Sequence, residues 1–252
     1  EGRRPCPGAG PRVDQPDALM HTNNACTVVH PDARGDVELL YDLGTQNIGY
    51  YEFDLTAPAG TTVDISAVEF IAPSGTIQHT LGCKNILRYV CTEGVNRFLS
   101  TKRRAGRFVF ITLRNLSAPV HIRLVRLVES TYPVHAVAKF NCSNDAYVRV
   151  WEIAARTLKL CMEDTFTDCP LYEQTLWIGD ARNESLYAET AFGAHDLIRR
   201  CLRLGAQSLE HYPLVGAQVP SAWDMLLPAW SFLWGIGVWD YYFASGDRVF
   251  LK

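Results

Sequence analysis

"SNDAYVRVWEIAARTLKLCMED", residues 143–164, is where the character of the chain changes. Ser143, Asn144 and Asp145 are residue types that accept hydrogen bonds from the free N–H groups at a helix start. Apolar residues then recur at Tyr147, Val150, Trp151, Ala154, Leu158 and Cys161. That i, i+3, i+4, i+7 spacing lays one stripe along a helix. Before this point the pattern is different. "VELLYDLG", "GYYEFDLTAP", "TTVDISAVEFI", "ILRYVCTEG", "RFVFITLRNL" and "VHIRLVRLVE" are short runs rich in Val, Ile, Tyr, Phe and Thr. Tyr51, Phe53 and Leu55 alternate with Glu52 and Asp54, and "APAGT" and "APSGT" punctuate the runs. Strands at such spacing predict an antiparallel β-sandwich.

The expected organisation is therefore β first, then α. Residues 1–35, rich in Gly, Pro, Arg and Asp, read as an irregular lead-in. Residues 36–130 read as the sandwich, 131–140 as a linker, and 141–252 as helical. A second helix is expected over about 181–204, with Tyr187, Ala191, Ala194, Ile198 and Cys201 on one face and Gly205 ending it. The last apolar stretch, "DMLLPAWSFLWGIGVWDYYFASGD", is interrupted by Pro228 and two glycines and bracketed by acids. It is too short for a membrane span and is expected to be a helix buried on most sides. The opening "EGRRPCPGAGP" and the closing "GDRVFLK" lead us to expect a longer polypeptide.

With 252 residues and 48% hydrophobic composition, real cores are affordable for one or two domains. A net charge of -3 offers no electrostatic footprint for nucleic acid or an anionic membrane. The eight cysteines form no CxxC pair and no zinc-type spacing with His, so reduced thiols in a cytoplasmic protein are expected, with no metal. Three N-x-S/T sequons, at Asn115, Asn141 and Asn183, are a chance number at this length.

Acids and aromatics crowd together at "DCPLYEQTLWIGDARNE", residues 168–184. Spacing alone leaves two readings open. One is a polar loop with helix-capping acids, Asp168 ahead of Pro170 and Asp180 at the next helix. The other is glycoside hydrolysis, which needs a carboxylic acid to protonate the leaving oxygen and a second carboxylate as nucleophile or base. Such an acid stays protonated when aromatics and other acids surround it. Glu173, with Tyr172, Trp177, Asp168 and Asp180 around it in sequence, has candidate neighbours for this. Trp177 offers a flat apolar face to a sugar ring, and the two aspartates can accept from hydroxyl pairs.

The same stretch resembles the active-site signature of the bacterial α-L-rhamnosidases, glycoside hydrolase family 78, in the branch that reads D-C-P-x-Y-E-Q-x-x-W-x-G-D-x-R. Another branch has Arg where this chain has Tyr172. "LLYDLGTQNIGYYEFDLTAPAGTTVDI" is similar to the family's sandwich, and "FNCSNDAYVRVWEIAARTLKLCMED" and "LPAWSFLWGIGVWDYYFASGDRVFL" to helices of its barrel. The resemblance implies a β-sandwich followed by an incomplete (α/α)6 barrel, and removal of terminal α-L-rhamnose by an inverting mechanism with neither metal nor cofactor. It implies Glu173 as general acid and Asp168, Trp177 and Asp180 as rhamnose ligands, with Trp230 or Trp234 lining the pocket. Ala229 stands where family members commonly have Asp. The family's catalytic base is a Glu much further along, and Glu184 and Glu189 are too near Glu173 to be it. Alternatives are another inverting exo-glycosidase on this barrel, or a carbohydrate-binding fragment without catalysis.

Overall fold

The computed structural model describes residues 12–21, 25–77 and 85–252. The chain divides into two compact units, Glu1–Ser130 and Thr131–Lys252.

In the first unit, eight strands are found among the described residues, and every pairing is antiparallel. They are β1 Val13–Asp14, β2 Thr27–Val29, β3 Val37–Ala57, β4 Thr62–Val68, β5 Ile86–Val90, β6 Gly94–Leu99, β7 Arg104–Arg114 and β8 Val120–Glu129. The strand β3 organises the rest. It is 21 residues long, and its register slips between Asp42 and Asn47. It pairs with β7 from Val37 through the slip to Gly49, with β8 from Gly49 to Thr56, and with β6 on the other edge from Glu52 to Ala57. A long strand that bends at a bulge and then exchanges its partners turns from one layer into the next. The result is a β-sandwich with β5–β4–β7–β3 in one layer and β1–β2–β8–β3–β6 in the other.

The expected alternation is present: Tyr51, Phe53, Leu55 and Ala57 are buried while Glu52, Asp54 and Thr56 are less so. These side chains share one core with Val63 and Ile65 of β4, Ile111 and Leu113 of β7, and Ile122 of β8. On the outer face, Asp54 accepts from Arg97 and Arg123, and Glu52 from Arg126.

Three expectations need correction here. The runs "VELLYDLG" and "GYYEFDLTAP" are one strand rather than two, because β3 runs through the bulge still paired with β7 before it exchanges partners. The run "ILRYVCTEG" stops at Val90, and the segment after it forms β6 on the edge of β3. Residues 1–35 are not wholly irregular. Within them β2 adds to β8, with Thr27 opposite Ile122 and Val29 opposite Val120, and Val29 is fully buried. Backbone pairing to an open edge asks for no apolar period, so composition did not reveal it.

The second unit holds α1 Asp145–Leu160, α2 Ile178–Phe192, α3 His195–Gln207 and α4 Pro228–Ser245. Asn144 caps α1, its side chain accepting from Ala146 N–H at 3.0 Å. The single helix expected over 181–204 is two helices. Gly193 takes a left-handed conformation, φ 61°, which ends α2 and starts α3 two residues later. Gly205 does not end α3; it lies inside it, where an added Cβ would sit 2.7 Å from the Trp234 ring.

The core joins Leu158, Met162, Phe166, Leu176, Ile178, Ala188, Leu197 and Ile198. The start of the apolar stripe of α1 is instead open to solvent at Tyr147 and Val150, and Ile153 beside it is exposed as well. So is most of α4, where only Gly237 and Tyr241 are buried and Phe243 is 81% exposed. Burial on most sides is therefore not found for α4 within this chain. No described helix is long and apolar enough to cross a membrane.

Candidate active site

The residues 168–177 form a loop that closes on itself ahead of α2. Asp168 N–H donates to the Thr175 carbonyl at 3.0 Å, and Thr175 N–H donates back to Asp168 Oδ1 at 3.0 Å. Gln174 stands at the turn with φ 53°, a left-handed conformation that costs a residue with a Cβ roughly 1–2 kcal/mol. Its side chain offsets part of that by donating to the Pro170 carbonyl at 2.6 Å. Strain of this kind persists where the surroundings over-determine it, and it gathers at functional loops.

Glu173 lies just before that turn and is exposed. Its Oε2 accepts from Trp177 Nε1–H at 2.6 Å. The Trp177 indole is half-buried and meets Trp223 edge to face, with ring centroids 6.2 Å apart. Trp177 also leads into α2 through a short antiparallel bridge to Gln218, closed by Ile178 N–H to the Ala217 carbonyl (2.9 Å) and Val219 N–H to the Leu176 carbonyl (3.1 Å). Hydrogen bonds flanking the pair make it the closely spaced kind, with both side chains on one face. Gln218 is 4% exposed, and neither polar atom of its amide has a partner.

Asp180 falls in the first turn of α2. Partial burial pushes its carboxyl above the usual range, and the nearby charges of Asp168 and Glu173 push it further. Glu184 follows one turn later on the same face. Its Oε2 is buried with no hydrogen-bond partner. Burial, reinforced by Asp180 and Asp168, pushes Glu184 up to about 9, so it is a neutral acid at pH 7. Asp168, Glu173, Trp177 and Asp180 are thus brought together, with Glu184 beneath them.

Trp230 and Trp234 are placed differently. Gly179 and Arg182 project from the opposite side of α2 to Asp180 and Glu184. An added Cβ at Gly179 would lie 2.5 Å from Trp230 Cε2, and Arg182 pairs with Asp240 of α4 at 2.9 Å. The Trp230 indole therefore packs on the back of α2, its N–H buried without a partner. Trp234 donates its indole N–H to the Leu202 carbonyl of α3 at 2.9 Å.

Glu184 and Gln218 escaped the sequence reading as members of this cluster. Glu184 had a usable signal, its spacing of four from Asp180 and seven from Trp177. Gln218 had none, because its place beside Trp177 is set by long-range pairing. Among the described residues no group of three or more His, Cys, Asp or Glu side chains is disposed to hold a metal ion.

The residues 135–252 match the family described as the bacterial alpha-L-rhamnosidase six-hairpin glycosidase domain. The chain is 41% identical to the GH78 family rhamnosidase of Bacillus sp. GL1, with a TM-score of 0.88 over 92% of this chain and 24% of that one. A rhamnosidase from Klebsiella oxytoca with rhamnose bound shares the fold at a TM-score of 0.74 and 20% identity, over 86% of this chain and 46% of that one. The alpha-L-rhamnosidase of Formosa agariphila is 20% identical over 172 residues, which are 66% of this chain and 18% of the relative. The chain thus spans about a fifth to a quarter of the length of the Formosa and Bacillus relatives. Over that part of their length, the chain is similar to alpha-L-rhamnosidases in sequence and in fold.

Proposed function

We infer that this chain carries the proton-donating half of an inverting α-L-rhamnosidase that removes terminal α-L-rhamnose from glycosides or polysaccharides. Glu173 is the general acid that protonates the glycosidic oxygen. Asp168 and Asp180 accept hydrogen bonds from the sugar hydroxyls, and Trp177 walls the ring. The observation that carries this reading is the convergence of three carboxyl groups and an indole N–H on one loop and helix start, where Asp180 feels the charge of both Asp168 and Glu173.

In an inverting enzyme the base that activates water stands about 6.5–9.5 Å from the acid, on the other face of the sugar. Glu184 does not suit that part. It is half-buried with its Oε2 sealed from solvent, neutral at pH 7 and one turn below Asp180 on the same helix, whereas a base must be ionised and reach a water. We place the base beyond Lys252. The solvent-facing apolar stripes of α1 and α4 support reading the second unit as the opening part of an (α/α)6 barrel.

The test is a panel of nitrophenyl glycosides with the intact enzyme, followed by proton NMR of the first-formed sugar from an α-L-rhamnoside. Hydrolysis of the rhamnoside with initial release of the β-anomer supports the reading. Release of the α-anomer sinks the inverting mechanism, and turnover of a different sugar alone sinks the rhamnosidase assignment.

A further inference from the structure

One side chain in the loop touches both the hydroxyl-binding carboxylate and the proton donor without being either. Cys169 Sγ–H donates to Asp168 Oδ2 at 2.7 Å, and the same sulfur accepts the backbone N–H of Glu173 at 3.3 Å. With Thr175 N–H on Oδ1, both oxygens of Asp168 are held by the loop itself. Pro170 follows Cys169, so the Cys169 backbone is biased toward extended conformations, and Pro170 brings no N–H of its own to the loop. Between Pro170 and the strained Gln174, the Glu173 backbone N–H is bonded to this sulfur.

We propose that Cys169 is a positioning residue for the glycosidic proton transfer, its thiol clamping the Asp168 carboxylate to the backbone of Glu173 so that ligand and proton donor keep one spacing. The assignment of Glu173 as donor rests on the rhamnosidase reading above; the clamp itself does not. The group has to be both donor and acceptor, which a thiol is and a thiolate is not. Burial, and then the bond to Asp168, push the Cys169 thiol up to about 11, so the proton the clamp needs is retained at neutral pH. A proton donor displaced by a fraction of an ångström loses rate steeply, because the reacting atoms no longer meet in line.

The experiment uses the intact enzyme with Cys169→Ala, which removes both bonds, and Cys169→Ser, which restores a donor and acceptor with a slightly shorter reach. Hydrogen exchange at the Glu173 amide reads the clamp without any substrate. Steady-state kinetics on an alkyl and on an activated aryl α-L-rhamnoside read its consequence. Cys169→Ala should lose protection at Glu173 and lower kcat on the alkyl rhamnoside by about 10–100-fold, the worth of a hydrogen bond to a charged group. The activated substrate should lose less, and Cys169→Ser should recover both readouts to within about threefold. If Cys169→Ala does not fold, Cys169→Val, which fills the space without a donor, replaces it. A folded Ala or Val variant with unchanged Glu173 protection overturns the clamp. One with lost protection but kcat within twofold of wild type on the alkyl rhamnoside overturns its role in the reaction. If wild-type enzyme turns over no rhamnoside, the functional reading fails instead, and exchange at Glu173 still decides the clamp.

Discussion

Glu184→Gln should make the intact enzyme more stable at pH 7, and the gain should grow with pH. The ordinary value for a glutamate is 4.5, and burial with two aspartates nearby raises Glu184 to about 9. Between those values the folded protein holds a proton that the unfolded chain has released. The native state then binds more protons, so stability falls as pH rises through the window. Neutral pH lies about 2.5 units above the unfolded value, and each unit is worth about 1.4 kcal/mol, so wild type gives up about 3 kcal/mol at pH 7. The loss grows to about 6 kcal/mol as pH passes the folded value. Glutamine keeps the shape and the buried polar tip but cannot ionise in either state.

Thermal unfolding of the two proteins at pH 4, 5.5, 7 and 8.5 checks this. At pH 4 the melting points should coincide to within a degree or two. At pH 7 the variant should melt roughly 6–12 °C higher for a unit of this size. Asp180→Asn, which removes the larger of the two like charges on Glu184, should reduce the pH slope of the wild-type side chain. A difference that does not change with pH, or a variant that is less stable at pH 8.5, would refute the buried neutral acid.

Four further outcomes follow from the same site and fold. Glu173→Gln in the intact enzyme should lower kcat on poor leaving groups by roughly 10²–10⁴-fold and on activated aryl rhamnosides by less; full activity on an unactivated rhamnoside rules out the assignment. Trp177→Ala should raise KM and lower kcat/KM with the circular dichroism spectrum retained, whereas an unfolded variant marks the indole as core. Alkylation after denaturation should count eight thiols with and without reductant, including Cys6 and Cys83, which lie outside the described residues; a stable disulfide would undo the expectation of a cytoplasmic protein. The 252-residue chain expressed alone should bind a hydrophobic dye and leave rhamnosides intact, and a monodisperse, active fragment would sink both the missing base and the half-barrel.

Much of the fold was legible where one physical rule acted alone. The strand alternation at Tyr51, Phe53 and Leu55 and the cap at Asn144 are local, and both stand as expected. Where two rules competed, reading by period misled. The bulge between Asp42 and Asn47 looks like a turn because Gly44 and Asn47 are turn residues, yet the strand runs through it. The α2–α3 break rests on Gly193 alone, since the apolar face of Ala191, Ala194, Ile198 and Cys201 continues across it and stays buried. The four-residue cluster of the site was visible because it lies within one short stretch. Its interior was not: which oxygen of Asp168 meets the Cys169 sulfur, or which residue sits beside Trp177, depends on side-chain directions and on a bridge to Gln218 forty-one residues away.

The two sides of α2 explain why this helix can carry both packing and chemistry. Its back is made for contact: Gly179 lets the Trp230 ring lie against the backbone, Gly237 of α4 faces Arg182, and the Arg182–Asp240 pair holds the two helices in register. Its front carries Trp177, Asp180 and Glu184, spaced so that they share one face. The first turn of a helix favours negative charge, which helps Asp180 ionise. Burial and the charges of Asp168 and Glu173 act in the other direction and outweigh it, since the net displacement is upward. A carboxyl so balanced is a good partner for sugar hydroxyls, because it can accept when ionised and donate when protonated. One turn deeper, Glu184 has lost the helix start and most of its water and stays neutral. Along one helix face, an exposed carboxyl at the first turn therefore gives way to a proton-holding one at the second, without any change of residue class. Because the back of the helix is locked by close contacts, the proposed proton transfer from Glu173, which depends on distances of a few tenths of an ångström, has a rigid support beside it.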